Sequence, residues 1–184
     1  RVGQGVDGDV ESHLGISTSG GSSWWAGQEP AGVTGAGTVA VAADGGRIVW
    51  SPAGTGVHVS TTLGSGWTAS TGIPAGARVE SDRVNPQVFY GYAGGTFYRS
   101  TDGGASFTAS DATGLPADGN VRFAAVPGHE GDVWLAGGAT DKTYGMWRST
   151  DEGATFTRVA AVDEGDAVGF GKAAPGNSYP AVYT

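Results

Sequence analysis

One short cassette returns four times along the 184-residue chain: Ser17 to Trp24, Ser60 to Trp67, Ser100 to Phe107 and Ser149 to Phe156. Its full form, Ser-x-Asp-x-Gly-x-x-aromatic, stands in the third copy (Ser100, Asp102, Gly104, Phe107) and the fourth (Ser149, Asp151, Gly153, Phe156). In the first two copies Ser19 and Thr62 replace the Asp, while Gly20-Gly21, Gly64 and the closing Trp24 and Trp67 remain. The cassette serines lie 43, 40 and 49 residues apart. A period of ~40–50 residues is that of a four-stranded propeller blade.

The cassette reads as a hairpin. An Asp or Ser just past a strand accepts hydrogen bonds from backbone N–H groups a few residues on, and Gly takes a left-handed position that a Cβ would strain. The aromatic then enters the next strand and buries itself. The pattern resembles the Asp-box, or BNR, repeat of propellers that include sialidases and several glycoside hydrolases. Asp102 and Asp151 are therefore read as turn-formers rather than catalytic carboxylates, and Trp24, Trp67, Phe107 and Phe156 as core.

Composition agrees with an all-β, extracellular protein. With 35 Gly, 15% charged residues and no long aliphatic helical period, little is available from which to build helices. Turn signals such as Ala43-Asp44-Gly45, Asn85-Pro86 and Pro127-Gly128 separate runs rich in Val, Ile, Phe, Tyr and Thr. A net charge of −8 argues against nucleic acid. There is no Cys, and His13, His58 and His129 lack ligand spacing, so neither a metal nor another cofactor is expected. No apolar run approaches the ~18 residues of a membrane span.

Overlaying the repeats predicts innermost strands at Thr38–Ala42, Ala77–Glu80, Val121–Ala125 and Ala167–Phe170, where small residues suit a crowded axis. Second strands follow at Arg47–Trp50, Gln87–Tyr92, Asp132–Ala136 and Pro180–Thr184, and third strands end on the cassette serines. The resulting blades are 1–35, 36–75, 76–117, 118–163 and 164–184, the first and last incomplete. Propellers close with ~4–8 blades. The chain, opening on Arg1-Val2-Gly3 and stopping within a strand, is accordingly expected to be part of a larger ring.

Five segments, in order, carry a more specific resemblance: Thr38–Gly45, Ser81–Pro86, Gly95–Gly104, Val126–Gly138 and Val168–Gly176. Together they resemble the second propeller of glycoside hydrolase family 74. The resemblance implies a secreted, inverting endo-β-1,4-glucanase acting on plant cell-wall xyloglucan, built from two seven-bladed propellers that grip the glucan between them, with this chain completed by the remainder of the same enzyme. Inversion requires two carboxyl groups roughly 6.5–9.5 Å apart. By the same resemblance both catalytic aspartates lie outside this chain, which alone is expected to be inactive. Asp7, Asp9 and Glu11 do not match the family's catalytic segment and are read as loop carboxylates.

Sugar contact is what these blades are expected to supply. Loops from a fourth strand to the next first strand, and from second to third strands, share one face. The aromatics nearest those loops, Trp25, Trp50, Tyr92 and Tyr144, are the predicted substrate-binding platforms. A non-catalytic glycan-binding or assembly propeller is the alternative class. A sialidase is disfavoured because no arginine cluster is visible among 10 Lys and Arg residues.

Overall fold

The computed structural model describes residues 13–140 and 142–184. Asp7, Asp9 and Glu11, and the opening of the first expected blade, lie outside the described residues. Among the described residues there are sixteen strands and no helix. The first sheet pairs β1 (Gly15–Ile16) with β2 (Trp25–Ala26). The second holds β3 (Gly35–Val41), β4 (Ile48–Ala53), β5 (His58–Ser60) and β6 (Thr68–Ala69). The third holds β7 (Arg78–Ser81), β8 (Phe89–Ala93), β9 (Thr96–Ser100) and β10 (Thr108–Ala109). The fourth holds β11 (Arg122–Ala125), β12 (Val133–Gly138), β13 (Tyr144–Ser149) and β14 (Thr157–Arg158). A fifth pairs β15 (Gly169–Gly171) with β16 (Ala181–Tyr183). Every four-stranded sheet is antiparallel and ordered as in the sequence.

Turn chemistry sets the registers. Between Val41 and its partner Ile48, Asp44 Oδ1 accepts the Gly46 N–H at 2.8 Å. Between Ala93 and its partner Thr96, Gly94 and Gly95 both take positive φ (53° and 83°), the two-residue hairpin turn whose twist matches the strands. The β3–β4 pairing shifts register between Gly35 and Thr38, a bulge at the end of the sheet that carries the cleft described below.

Successive sheets stack face to face. Leu14 and Ile16 of the first pack on Trp50 of the second, with Trp67 at their side. Val49, Val57 and Val59 pack on Val79, Phe89 and Phe107 of the third. Tyr90, Tyr92 and Phe97 pack on Phe123, Leu135 and Trp147 of the fourth. Strands β3, β7 and β11 lie side by side along the inner edge, where Val79 N–H donates to Thr38 Oγ1 at 3.0 Å.

The four cassettes adopt one turn. In each, the serine hydroxyl oxygen accepts the N–H of the glycine four residues on: Ser17 from Gly21 at 2.9 Å, Ser60 from Gly64 at 3.0 Å, Ser100 from Gly104 at 2.9 Å and Ser149 from Gly153 at 2.8 Å. Asp102 and Asp151 add a second layer. Asp102 Oδ1 accepts the Ala105 and Ser106 N–H groups, both at 3.0 Å, and Asp151 Oδ1 accepts the Thr155 N–H at 2.9 Å. The Ser106 and Thr155 hydroxyls donate to the other carboxylate oxygens at 2.6 Å. Ser19 imitates part of this by accepting the Ser23 N–H at 2.9 Å, whereas the Thr62 hydroxyl meets the Ser60 hydroxyl at 3.3 Å and the Gly66 carbonyl at 3.5 Å.

The turn is also the contact with the preceding sheet. A Cβ on Gly64 would lie 2.6 Å from Ile16, on Gly104 2.3 Å from Val49, and on Gly153 2.0 Å from Phe97. Trp24 departs from expectation: the cassette aromatic read as core is 49% exposed, because no preceding sheet covers that face among the described residues. Trp67, Phe107 and Phe156 do have such a neighbour and pack on it.

Two outcomes follow from this geometry. Gly104→Ala and Gly153→Ala combine a left-handed φ (88° and 83°) with overpacking, and each is expected to cost about 3 kcal/mol in denaturant unfolding. Gly20→Ala, whose Cβ would meet nothing within 4 Å, should cost only about 1 kcal/mol. For Asp102 and Asp151, burial pushes the carboxyls up, but the hydrogen bonds from Ser106, Thr155 and the cassette serines outweigh it and hold both below the ordinary Asp value. A carboxyl depressed on folding stabilises above its unfolded pKa, and that stabilisation is lost as pH falls through the folded value. Acid melts of the double Asn variant should show a flatter loss of stability over that interval, and an unchanged acid limb would count against the assignment.

Candidate functional site

The connections Gly54 to Val57 and Gly94-Gly95, and the described residues 139–140 and 142–143, which join second strands to third, open at the same end of the stack as the segments leading into β7 and β11. Between them lies a cleft of about 410 Å³. One wall is the β3–β4 bulge. A Cβ on Gly37, at φ 61°, would lie 1.8 Å from the Ser51 carbonyl oxygen, so only glycine lets these strands close there. The other wall is the segment ending in Gly119-Asn120, where a Cβ on Gly119 would lie 1.9 Å from the Gly138 carbonyl. Arg78, from the first position of β7, reaches the floor beside Tyr92.

The four predicted platforms do not converge. Trp50 is completely buried; its indole N–H donates to the Ala36 carbonyl at 2.7 Å and its ring packs 5.5 Å from Trp67. It is core between the first two sheets and offers no face to a sugar. Tyr92 is 6% exposed, its hydroxyl donates to the Pro116 carbonyl at 2.6 Å, and burial pushes its phenol pKa up. It lines the cleft with little more than its edge, and its ring belongs to the third core. Both expectations fail for one reason: strands β4 and β8 are covered on both faces by neighbouring sheets, so proximity to a loop does not bring exposure.

Trp25 and Tyr144 keep accessible surface. Trp25 is 44% exposed, but it lies on the outer strand β2 opposite Ile16, away from the cleft. Tyr144 is half-buried at the start of β13, at the cleft end of the fourth sheet, opposite Gly138. Its hydroxyl donates to Asp166 Oδ1 on the connection to the fifth sheet, and that bond is the main reason its phenol is pushed up to about 12.

Carboxylates elsewhere are committed to structure. Asp82, fully buried, accepts from the Tyr90 hydroxyl at 2.8 Å and from the N–H groups of Val84, Asn85 and Gly131 at 2.8 to 2.9 Å. Asp132 is held by Arg148 and by the Tyr179 hydroxyl at 2.9 Å, with the Arg148 guanidinium 4.6 Å from the Tyr179 ring centre. These tie the third sheet to the fourth and the fourth to the fifth, at the end opposite the cleft. Among the described residues no group of three or more His, Cys, Asp or Glu is placed to hold a metal ion.

Sequence reasoning missed the arginines. Arg78 and Arg122 stand at equivalent positions on β7 and β11, and the Arg122 charge, after burial, helps lower the Arg78 pKa. The signal was available: Arg78, Glu80 and Arg122 interrupt inner strands otherwise made of small or apolar residues.

Antiparallel four-stranded sheets in series, each seated on the one before by the same turn and opening a cleft at one end, define a β-propeller. No family model matches the chain. It is 55% identical over 172 residues to a xyloglucanase of a Paenibacillus species, an alignment covering 92% of this chain and 17% of that protein. It is 45% identical over 171 residues to a xyloglucanase of Acetivibrio thermocellus, covering 92% and 20%. Among solved structures it superposes on the family 74 enzyme of Niastella koreensis with a TM-score of 0.78 and 36% identity, covering 92% of this chain and 24% of that one. On the family 74 xyloglucanase of Xanthomonas campestris the TM-score is 0.79 with 30% identity, covering 97% and 26%. The chain belongs to glycoside hydrolase family 74. It spans about a fifth of the length of the sequence relatives it matches.

Removing the Tyr144 acceptor tests the geometry at the cleft end. In Asp166→Asn one phenol should titrate closer to the ordinary value near 10. Difference absorbance at alkaline pH reads this directly, and an unchanged profile would mean the two side chains are not bonded in solution.

Proposed function

We propose that the protein carrying this chain is a secreted, inverting endo-β-1,4-glucanase that cleaves xyloglucan, with these blades, from its second propeller, forming part of the substrate cleft. The supporting observation is the 55% identity to a xyloglucanase across 92% of the chain, in a stretch that includes the cleft walls. The cassettes are Asp-boxes in this reading, with Ser100, Asp102, Gly104 and Phe107, and Ser149, Asp151, Gly153 and Phe156, acting as structural residues.

The chemistry divides accordingly. Inverting hydrolysis needs one carboxylic acid to protonate the leaving oxygen and a carboxylate across the sugar to activate water. The cleft lining holds no Asp or Glu. The acid and base are therefore contributed from elsewhere in the protein, and these blades bind and orient the glucan. Tyr144 serves as a platform, since a pyranose presents C–H groups to an aromatic face and the Asp166 bond fixes the ring's direction.

Proton NMR of the first products from xyloglucan tests the proposal. The α-anomer should form first, and Tyr144→Ala should raise KM about fivefold with kcat little changed. Trp25→Ala should leave KM unaltered. Binding of xyloglucan with no new reducing ends would instead indicate a non-catalytic glycan-binding propeller.

A further inference from the structure

The cleft contains groups that glucan binding by Tyr144 does not use. Arg78 lines it, with Arg122 close enough to act on it electrostatically. Neither guanidinium makes an ion pair or a side-chain hydrogen bond among the described residues, although the chain carries a net charge of −8. Ser51 also lines the cleft, and its hydroxyl is the one buried side-chain polar atom among the described residues without a hydrogen-bond partner. Ser51 is only 2% exposed, so leaving that group unsatisfied is expensive. Thr38 accepts the Val79 N–H, which leaves its own hydroxyl proton free to donate into the cleft it lines. Asn120 stands exposed at the rim.

These groups share one polarity. Two carboxyls stand close by but outside the lining: Asp118, between the lining residues Ala117 and Gly119, is paired with Lys142 at 2.8 Å, and Glu80, two residues along β7 from Arg78, has its pKa raised by burial, ahead of the opposing pull of Arg83 and Arg78. A basin lined by a cation and several hydroxyl and amide donors, without a carboxylate in the lining, repels cations and favours a ligand that carries negative charge. A planar guanidinium matches the paired oxygens of a carboxylate, sulfate or phosphate.

We infer that the cleft at the inner edge of these blades is a binding site for a compact oxyanion, with Arg78 as its charge partner, Arg122 reinforcing the field, and Ser51, Thr38 and Asn120 as neutral donors. The site goes beyond glucan hydrolysis and does not depend on it. Its ligand is either a free inorganic anion or the carboxylate of an acidic sugar.

Isothermal titration of the protein carrying this chain with inorganic phosphate, acetate and glucuronate tests it. At least one anion should bind saturably with a stoichiometry of one. Arg78→Gln should weaken that binding at least about tenfold and Ser51→Ala about threefold, while Arg83→Gln, an exposed arginine outside the cleft, should leave it unchanged. If Arg78→Gln does not melt cooperatively, Asn120→Asp places a carboxylate at the exposed rim and should produce a similar loss without touching the core. Glucuronate binding tighter than acetate identifies an acidic sugar; phosphate binding tightest identifies a free inorganic anion. No saturable binding of any of the three, parental affinity in both Arg78→Gln and Asn120→Asp, or an equal loss in Arg83→Gln would overturn the proposal.

Discussion

Each of the first three sheet-to-sheet junctions depends on one glycine held on three sides. The N–H of Gly104 is bound by Ser100 of its own turn at 2.9 Å, its Cα lies against Val49 of the preceding sheet, and its carbonyl accepts the Ser70 hydroxyl at 2.6 Å. Gly153 repeats the arrangement with Ser149, Phe97 and the Ser110 hydroxyl at 2.6 Å, and Gly64 with Ser60, Ile16 and the Gln28 N–H at 2.9 Å. Burying a turn between sheets would strand its backbone groups away from water, and an unsatisfied buried group costs about 1–3 kcal/mol. The arrangement removes that cost and leaves space for an apolar side chain where a Cβ would stand.

That division explains which cassette positions vary. The Asp position faces outward, so Ser19 and Thr62 forfeit hydrogen bonds without opening a hole in the core. The residue before the glycine is left-handed as well, at φ 66° for Gly20, 50° for Leu63, 79° for Gly103 and 59° for Glu152. Leu63 and Glu152 bear the strain of a side chain there, Leu63 with its side chain half exposed and Glu152 reaching back to the preceding sheet. Glu152 recovers part of it through Arg99 at 2.7 Å, an exposed pair worth under about 1 kcal/mol. Nothing in the structure compensates Leu63.

The junction residues were readable in the sequence because they recur, and recurrence reveals any constraint that every sheet shares. Strand order, hairpin positions and the role of Asp102 and Asp151 as turn-formers follow from it. Exposure of individual aromatics does not. Ile48, Val49, Trp50 and Ser51 are all buried in succession, so the period-2 alternation that marks a half-exposed strand is absent, and Trp50 could not be placed by pattern. Trp24 shows the converse. The cassette that buries Phe107 leaves Trp24 half exposed, because burial comes from a neighbouring sheet and not from the cassette itself. The pairing of Arg78 with Arg122 was hidden for a related reason: 44 residues separate them, and only the lateral packing of β7 against β11 brings them together.

Stability and recognition therefore occupy opposite ends of the same strands. At the cassette end, Asp82 and Asp132 are saturated by donors, and the cassette serines, glycine N–H groups and glycine carbonyls are paired at each of the first three junctions. At the cleft end, Ser51 is left without a partner, Arg78 without a direct ion pair, and bare glycine backbone forms both walls. Unsatisfied groups persist in a folded chain only where the rest of the structure holds them in place. The junctions supply that rigidity. The stacking of sheets fixes where β3, β7 and β11 end whatever side chains project beyond those ends, so polar groups there can be arranged for a ligand without disturbing the cores that position them.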